Sequence, residues 1–428
     1  MDFSKYIIKA LSVFLVLPLF SCEEEFPQNS SYFSPIRQKA IVYTGEKAGD
    51  FETMALSIDW QSVEKLTVKG HINHNDLHII KKYASSLYGD LKALDFKDTD
   101  IFEGAFPNML FENNQQIEHF VYPRKMMATG DFIFSICFTL KEVVIPEEVE
   151  ILGAGTLSDV DKVKLDANQK PYYDAPMPKA YYTIPNMVKE LGGLCYNYYP
   201  YKSIDIPDSV EKLGNSCFAY AKLESFRFPP KVTVVEEGLF GGCKNLKTVK
   251  LNDKITTINK LAFKESGIEE LIMPASVTRV GESFVAYTPN LKKIQWSPNI
   301  TNLEEKALAF IHLEEFHVPE TAKKLGRMCF MGATTKRYYL HEDINELGEG
   351  LFNNNENDTT NHIEELHVKW QTPPPAGKTF NTAVDFAIAT YIYPAPDFSK
   401  VTLYVPKGTK TLYQEAEGWN KFGTIIEE

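Results

Sequence analysis

From about residue 200 onward the hydrophobic positions recur with a fixed period. Tyr201, Ile204 and Ile206, followed by Pro207, set a pattern: apolar, two polar positions, apolar, polar, apolar. It returns at Leu223, Phe226 and Phe228, at Leu246, Val249 and Leu251, and at Ile268, Leu271 and Met273. Leu291, Ile294 and Trp296 follow, then Leu313, Phe316 and Val318, then Thr335, Tyr338 and Leu340, each 22 or 23 residues after the last. Ile363, Leu366 and Val368 end the run after an inserted stretch, and looser copies lie upstream at Ile117, Phe120 and Tyr122, at Leu140, Val143 and Ile145, and at Tyr182 and Ile184. Alternation at period two predicts a short strand with one buried face. Proline directly after many of these strands (Pro207, Pro229, Pro274, Pro319) cannot donate to a ladder and ends them.

The second half of each unit repeats as well. Val210, Leu213, Gly214, Cys217 and Phe218 match Val277, Val280, Gly281 and Phe284, then Ala322, Leu325, Gly326, Cys329 and Phe330, then Ile344, Leu347, Gly348, Leu351 and Phe352. This is a return leg in which glycine is expected to allow a tight bend and phenylalanine to fill the interior. A single unit cannot bury its apolar face, whereas stacked units share a continuous core. The expected fold is therefore a solenoid of α/β to mainly β character. It has a parallel concave sheet of short strands and a convex side of turns and short helices.

The first units are longer. Val63, Leu66 and Val68, and Leu91, Leu94 and Phe96, are strand patterns separated by residues 76–84, whose apolar spacing predicts a helix behind a cap signal at Asn75 and Asp76. Residues 41–62 are read as an N-terminal cap, 63–410 as repeats and 411–428 as a C-terminal cap. Two polar or Pro/Tyr-rich insertions, 166–179 and 353–361, and an irregular stretch, 371–400, interrupt the array; loops on such scaffolds carry either binding contacts or plain surface decoration.

These repeats resemble the BspA-like leucine-rich repeats of surface proteins from anaerobic Bacteroidetes, over most of the chain from about Val63. The ending agrees: Pro373 to Pro375, Leu403, Val405, Pro406, Gly408, Tyr413, Trp419 and Phe422 look like the last turn and cap of such proteins. A helix bearing Tyr413, Trp419 and Phe422 is expected to cover the open apolar end. The resemblance implies a surface protein associated with adhesion.

The N-terminus fits that setting. Lys5 and Lys9 precede an apolar run from Ile7 to Phe20 that is shorter than a membrane span. It ends at Leu19, Phe20, Ser21 and Cys22, which resembles the lipobox of bacterial lipoproteins. That resemblance implies a signal peptide over 1–21 and a lipid on Cys22, with 22–40 as a tether. Glu23, Glu24 and Glu25 are similar to the surface-export signal of Bacteroidetes lipoproteins, implying an outer-membrane protein that faces the exterior and touches the membrane only through its lipid. The other five cysteines (Cys137, Cys195, Cys217, Cys243 and Cys329) fall at small core positions of the repeat and are read as buried thiols. A formal charge of −12 gives no basic face for nucleic acid.

The outward strand positions are where a partner could bind. On successive turns Gln295, His317, Tyr339 and His367 make one file, flanked by Glu315, Arg337 and Glu365. Such a row can hydrogen-bond and stack; it also satisfies the requirement that a solvated sheet face be polar. His71, His74 and His78 invite a metal, but the first two are expected to precede the helix and the set need not share a face, so no metal is assigned. No cofactor fingerprint, nucleophile motif or focused carboxylate pair is present, and no enzyme is expected. Three classes of function remain: recognition of a host or microbial surface protein or peptide, glycan capture beside an uptake system, and a structural envelope role. Exposed tryptophans would favour glycan; Trp296 reads as inward and Trp419 as part of the cap, while Trp60 and Trp370 are unassigned. Capped ends predict a monomer.

Overall fold

The computed structural model describes residues 40–135, 137, 139–156, 164–165, 171–172, 184–355, 358, 360–385 and 391–428. The proposed signal peptide, Cys22 and the tether up to residue 39 lie outside these residues, as does all of the first insertion except Pro171–Tyr172, which pairs antiparallel with Lys164–Leu165. The chain divides into two compact units, one ending at Tyr198 but including Asp205–Val210, the other comprising Tyr199–Ile204 and Glu211–Glu428.

The first unit holds a five-stranded parallel sheet in sequence order: β1 (Ala40–Gly45), β2 (Lys65–Ile72), β3 (Ala93–Ile101), β4 (His119–Val121) and β5 (Glu142–Val144). Residues 41–62 thus contribute a full strand, β1, in register with β2 from Ala40↔Lys65 to Gly45↔Gly70, together with a short helix, Phe51–Ala55. Between β2 and β3 the chain forms the helix His74–Tyr83. Its cap is Asn73, two residues before the position read from sequence, and His74 lies inside the helix. Asn73 Oδ1 accepts from Asp76 N–H and Asp76 accepts from Asn73 N–H, a reciprocal capping box. The fully buried Asp76 also accepts from the backbone N–H of Gly49 (2.7 Å) and Phe51 (3.1 Å), so one carboxylate ties two helices together. Trp60 is buried here, stacked on Tyr83 at 4.6 Å.

In the second unit each turn has three legs. The first is the predicted strand: Ser225–Arg227, Thr248–Lys250, Glu270–Ile272 and Lys293–Gln295 form one parallel sheet, and Glu315–His317, Arg337–Leu340, Glu365–Val368, Thr402–Val405 and Thr424–Glu427 another. The second is a two-residue strand that pairs with its neighbours (Val234–Val235, Thr257–Ile258 and Arg279–Val280; then Asn302–Leu303, Lys324–Leu325 and Glu346–Leu347). The third is a turn whose amides bond to the next turn, as in Phe240 N–H to Ala262 O (2.8 Å) and Phe263 N–H to Phe284 O (2.8 Å). The return path here is therefore strand and turn; of the turns and short helices expected on the convex side, the turns are present. Inside, phenylalanines of successive turns stack, the predicted Phe218 on Phe240 (5.8 Å) and Phe240 on Phe263 (5.7 Å), with their planes nearly parallel.

The recurrent glycine acts differently from the expectation. Gly281, Gly326 and Gly348 do not have positive φ; a Cβ on Gly281 would lie 2.4 Å from Lys260 N of the preceding turn. Close approach of adjacent turns selects glycine at these positions. The left-handed backbone falls instead at residues such as Ser216, Tyr220, Leu261 and Glu265.

The C-terminus also differs from a single covering helix. A short helix, Lys410–Glu415, and a 3-10 turn, Trp419–Lys421, lead into a last strand, Thr424–Glu427, parallel to Thr402–Val405. Tyr413 and Trp419 are fully buried; Tyr413 Oη donates to Trp370 O (2.8 Å) and Trp419 Nε1 to Pro374 O (2.7 Å). The irregular stretch includes an antiparallel hairpin, Ala383–Asp385 with Tyr391–Tyr393, and the polar loop begins with the buried Asn353, whose Nδ2 donates to Tyr393 O.

Candidate functional site: a file of stacked rings

Every polar side chain predicted for the site lies on the first leg of the second unit, and the register places three of the four file members in line: His317↔Tyr339 and Tyr339↔His367. Their rings stack face to face. His317 and Tyr339 are 4.1 Å apart at 2°, and Tyr339 and His367 are 4.5 Å apart at 19°.

Gln295 does not join them. Its strand belongs to the first sheet and that of His317 to the second. The break falls at Trp296, the bulkiest side chain at the last inward position of the series, which packs between Phe284 and Phe316. The file continues in the other direction instead. Tyr404, paired with His367, stacks on it at 4.2 Å and 3°, and Ile426, paired with Tyr404, extends the row with an exposed aliphatic side chain. Sequence reading missed both residues because 402–405 and 424–427 were taken for a closing motif and a cap. The signal was present: Leu403 and Val405 repeat the spacing of Leu366 and Val368, and Pro406 follows them as proline follows many of the earlier strands.

Charged groups rim the file. Arg337 Nη2 lies 3.4 Å from Glu315 and 3.3 Å from Glu314. His317 Nε2 is 3.4 Å from Glu315; His367 meets Glu365 through Nε2 (3.5 Å) and Glu428 through Nδ1 (3.0 Å). The His317 side chain is 63% exposed and that of His367 14%. Because each inner ring has neighbours on both faces, the file offers edges to an incoming molecule: imidazole nitrogens, phenol hydroxyls and ring C–H. Such edges hydrogen-bond well and leave little free π-face.

Other candidates do not converge. His71 pairs with Asp100 (3.2 Å), His74 Nε2 meets Ala105 O (2.9 Å), and His78 is exposed; among the described residues no group of three or more His, Cys, Asp or Glu is placed to hold a metal ion. The five cysteines outside the N-terminus are free and buried, and burial pushes the Cys243 thiol up to about 12. Trp60, Trp370 and Trp419 are buried and Trp296 half-buried. Among the described residues no helix is long and apolar enough to cross a membrane.

Stacked parallel strands at a 22- to 23-residue period, with a shared interior of aliphatic and phenylalanine side chains, define a leucine-rich-repeat protein. The chain belongs to the family described as BspA type leucine rich repeat region, which matches in 6 copies over residues 64–165, 172–292 and 281–369. Among solved structures it is similar to a leucine-rich repeat protein from Bacteroides ovatus (17% identity, 64% of this chain and 84% of that one, TM-score 0.39). It is also similar to a leucine rich cell surface protein from Faecalibacterium prausnitzii (16% identity, 76% and 83%, TM-score 0.38) and to the pneumococcal vaccine antigen PcpA (14% identity, 86% and 79%, TM-score 0.41). No curated protein matches.

Proposed function

We propose that the protein is a lipid-anchored, outward-facing recognition or adhesion protein of the bacterial outer membrane, and that it grips a protein or peptide through the ring file. The observation that carries the reading is the file His317–Tyr339–His367–Tyr404, four stacked rings on an otherwise polar sheet. Rigid aromatic rings with polar edges give contact area at little entropic cost, which suits a peptide backbone and its side chains. Pyranose capture favours an exposed aromatic face; here the inner faces are occupied by neighbouring rings and no tryptophan stands free among the described residues. Cys22 and the three glutamates after it support the anchored, outward placement.

Lipid-free chain carrying Cys22→Ser is screened on arrays of surface proteins, peptides and glycans. A protein or peptide ligand lost in the His317→Ala/Tyr339→Ala double variant is the expected result. Ligands that bind the double variant as well as the parent would overturn the assignment of the file. Protease shaving of intact cells tests the outward face: protection until lysis would overturn it.

A further inference from the structure

We propose that the partner of the ring file presents a short basic segment, of about six extended residues with lysine or arginine at alternate positions; this rests on the file being the binding site. Four carboxylates touch the file or its arginine, Glu314, Glu315, Glu365 and Glu428, against a single guanidinium, Arg337, which already serves two of them. Glu365 and Glu428 have no lysine or arginine within ion-pair distance among the described residues; each faces only a nitrogen of His367. Two acids thus share one imidazole ring and have no other cationic side chain beside them among the described residues. A cation arriving over Tyr404 or Tyr339 supplies the missing partner and lies beside aromatic edges and hydroxyls that accept its hydrogen bonds.

The same sheet face reverses sign upstream. The strands from Ser225 to Gln295 carry Arg227, Lys250 and Lys293 outward against Glu270, which pairs with Lys293 at 2.9 Å. A basic segment is therefore attracted to the five strands from Glu315 to Glu427 and repelled by the four before them, which fixes where it docks. Five strands span roughly 19 Å across the sheet, a distance that about six extended residues cover. Side chains at alternate positions of that segment face the file.

The test uses the full chain and two labelled, end-capped hexapeptides, one alternating serine with arginine and one alternating serine with glutamate, followed by fluorescence anisotropy. The arginine peptide is expected to bind, and Glu365→Gln/Glu428→Gln to weaken it about 3- to 10-fold, in the range of two partly exposed charge contacts. Glu224→Gln, which removes an exposed carboxylate that pairs with Lys202 away from the file, is expected to change nothing. Equal weakening by Glu224→Gln would show attraction to overall charge and overturn the proposal, as would preference for the glutamate peptide. If neither peptide binds while the array ligand still depends on His317 and Tyr339, the basic-segment inference fails and the file stands. If no ligand depends on those rings, both fail.

Discussion

The two sheets share an inward pattern and differ outward. In the first unit the outward positions run Lys65↔Ala93↔His119↔Glu142 and Thr67↔Asp95↔Val121↔Val144, and Ala93, Asp95, His119 and Val121 are all buried. In the second unit Ser225, Arg227, Thr248, Lys250, Lys293, Gln295, Glu315 and His317 are exposed. Inward residues select the stacked fold in both; the outward ones decide whether the face remains open to a partner. The sheet of the first unit is built for cohesion, and a ligand search belongs on the outward strands of the second unit.

The largest expected effect probes cohesion. Asp76→Ala removes the acceptor of the buried Phe51 N–H and of the partly buried N–H groups of Gly49 and Asn73, and should cost about 3–5 kcal/mol. Hydrogen exchange should accelerate over residues 45–83 and remain unchanged over 315–427. Uniform acceleration through both units would show that they do not unfold separately, and would dissolve the contrast.

Gly281→Ala strikes the second unit in a different way. The added Cβ at 2.4 Å from Lys260 N must push two turns apart, at about 1–3 kcal/mol, read as a shift of the denaturant midpoint with an unchanged slope. No shift would mean that the turns are spaced loosely enough for any small residue.

The sheet strands, their spacing and the phenylalanine interior follow from sequence because each is a period, and period survives without coordinates. Four features did not. The role of Gly281 depends on how near the next turn comes, which no single turn encodes. Asn73 was passed over as a cap because Asn75 and Asp76 follow it with the same chemistry, and only the reciprocal bonds distinguish them. Gln295 was placed in the file by counting, but its strand and that of His317 fall in separate sheets, which a count of residues does not reveal. Tyr404 was left out of the file, although its strand counted among the repeats, because the outward positions were followed only as far as His367.

A smaller difference between the faces depends on pH. Burial pushes the Glu142 carboxyl up to about 7, and burial lowers His119, whose Nδ1 lies 3.2 Å from it, against the opposing pull of Glu118 and with Lys141 and Lys65 nearby. Desolvation favours the neutral form of both. Between the unfolded value near 4.5 and about 7 the folded state retains a proton on Glu142 that the unfolded state has lost, so this group's contribution to stability falls as pH rises and is flat above. His119 acts oppositely, losing stability as pH drops below about 6.5. Relative to the parent, Glu142→Gln should therefore gain stability from pH 4.5 to 7, measured by exchange over residues 93–144. A constant difference across that range would place Glu142 in water and the first face in the open.

The smallest expected effect on stability falls on the residues of the proposed binding file. Tyr339→Ala removes two ring stacks, at 4.1 and 4.5 Å, from a half-buried surface position. Its neighbours keep their strand hydrogen bonds, since Arg337↔Glu365 and Tyr338↔Leu366 pair through backbone, and the inward Tyr338 still fills the core. The loss should be about 1 kcal/mol or less. Nature could have met the demand for a polar sheet face with serine, threonine and lysine, as the strands from Ser225 to Lys250 do. Four consecutive rings in register cost side-chain freedom and gain little folding energy, so the proposed role in recognition supplies a reason for them that folding does not. Tyr339→Ser against Gln295→Ala makes the comparison sharp: both should melt near the parent, and only the first should lose the ligand. A melting loss several times larger for Tyr339→Ser would return the file to the role of structural cement, as in the first unit.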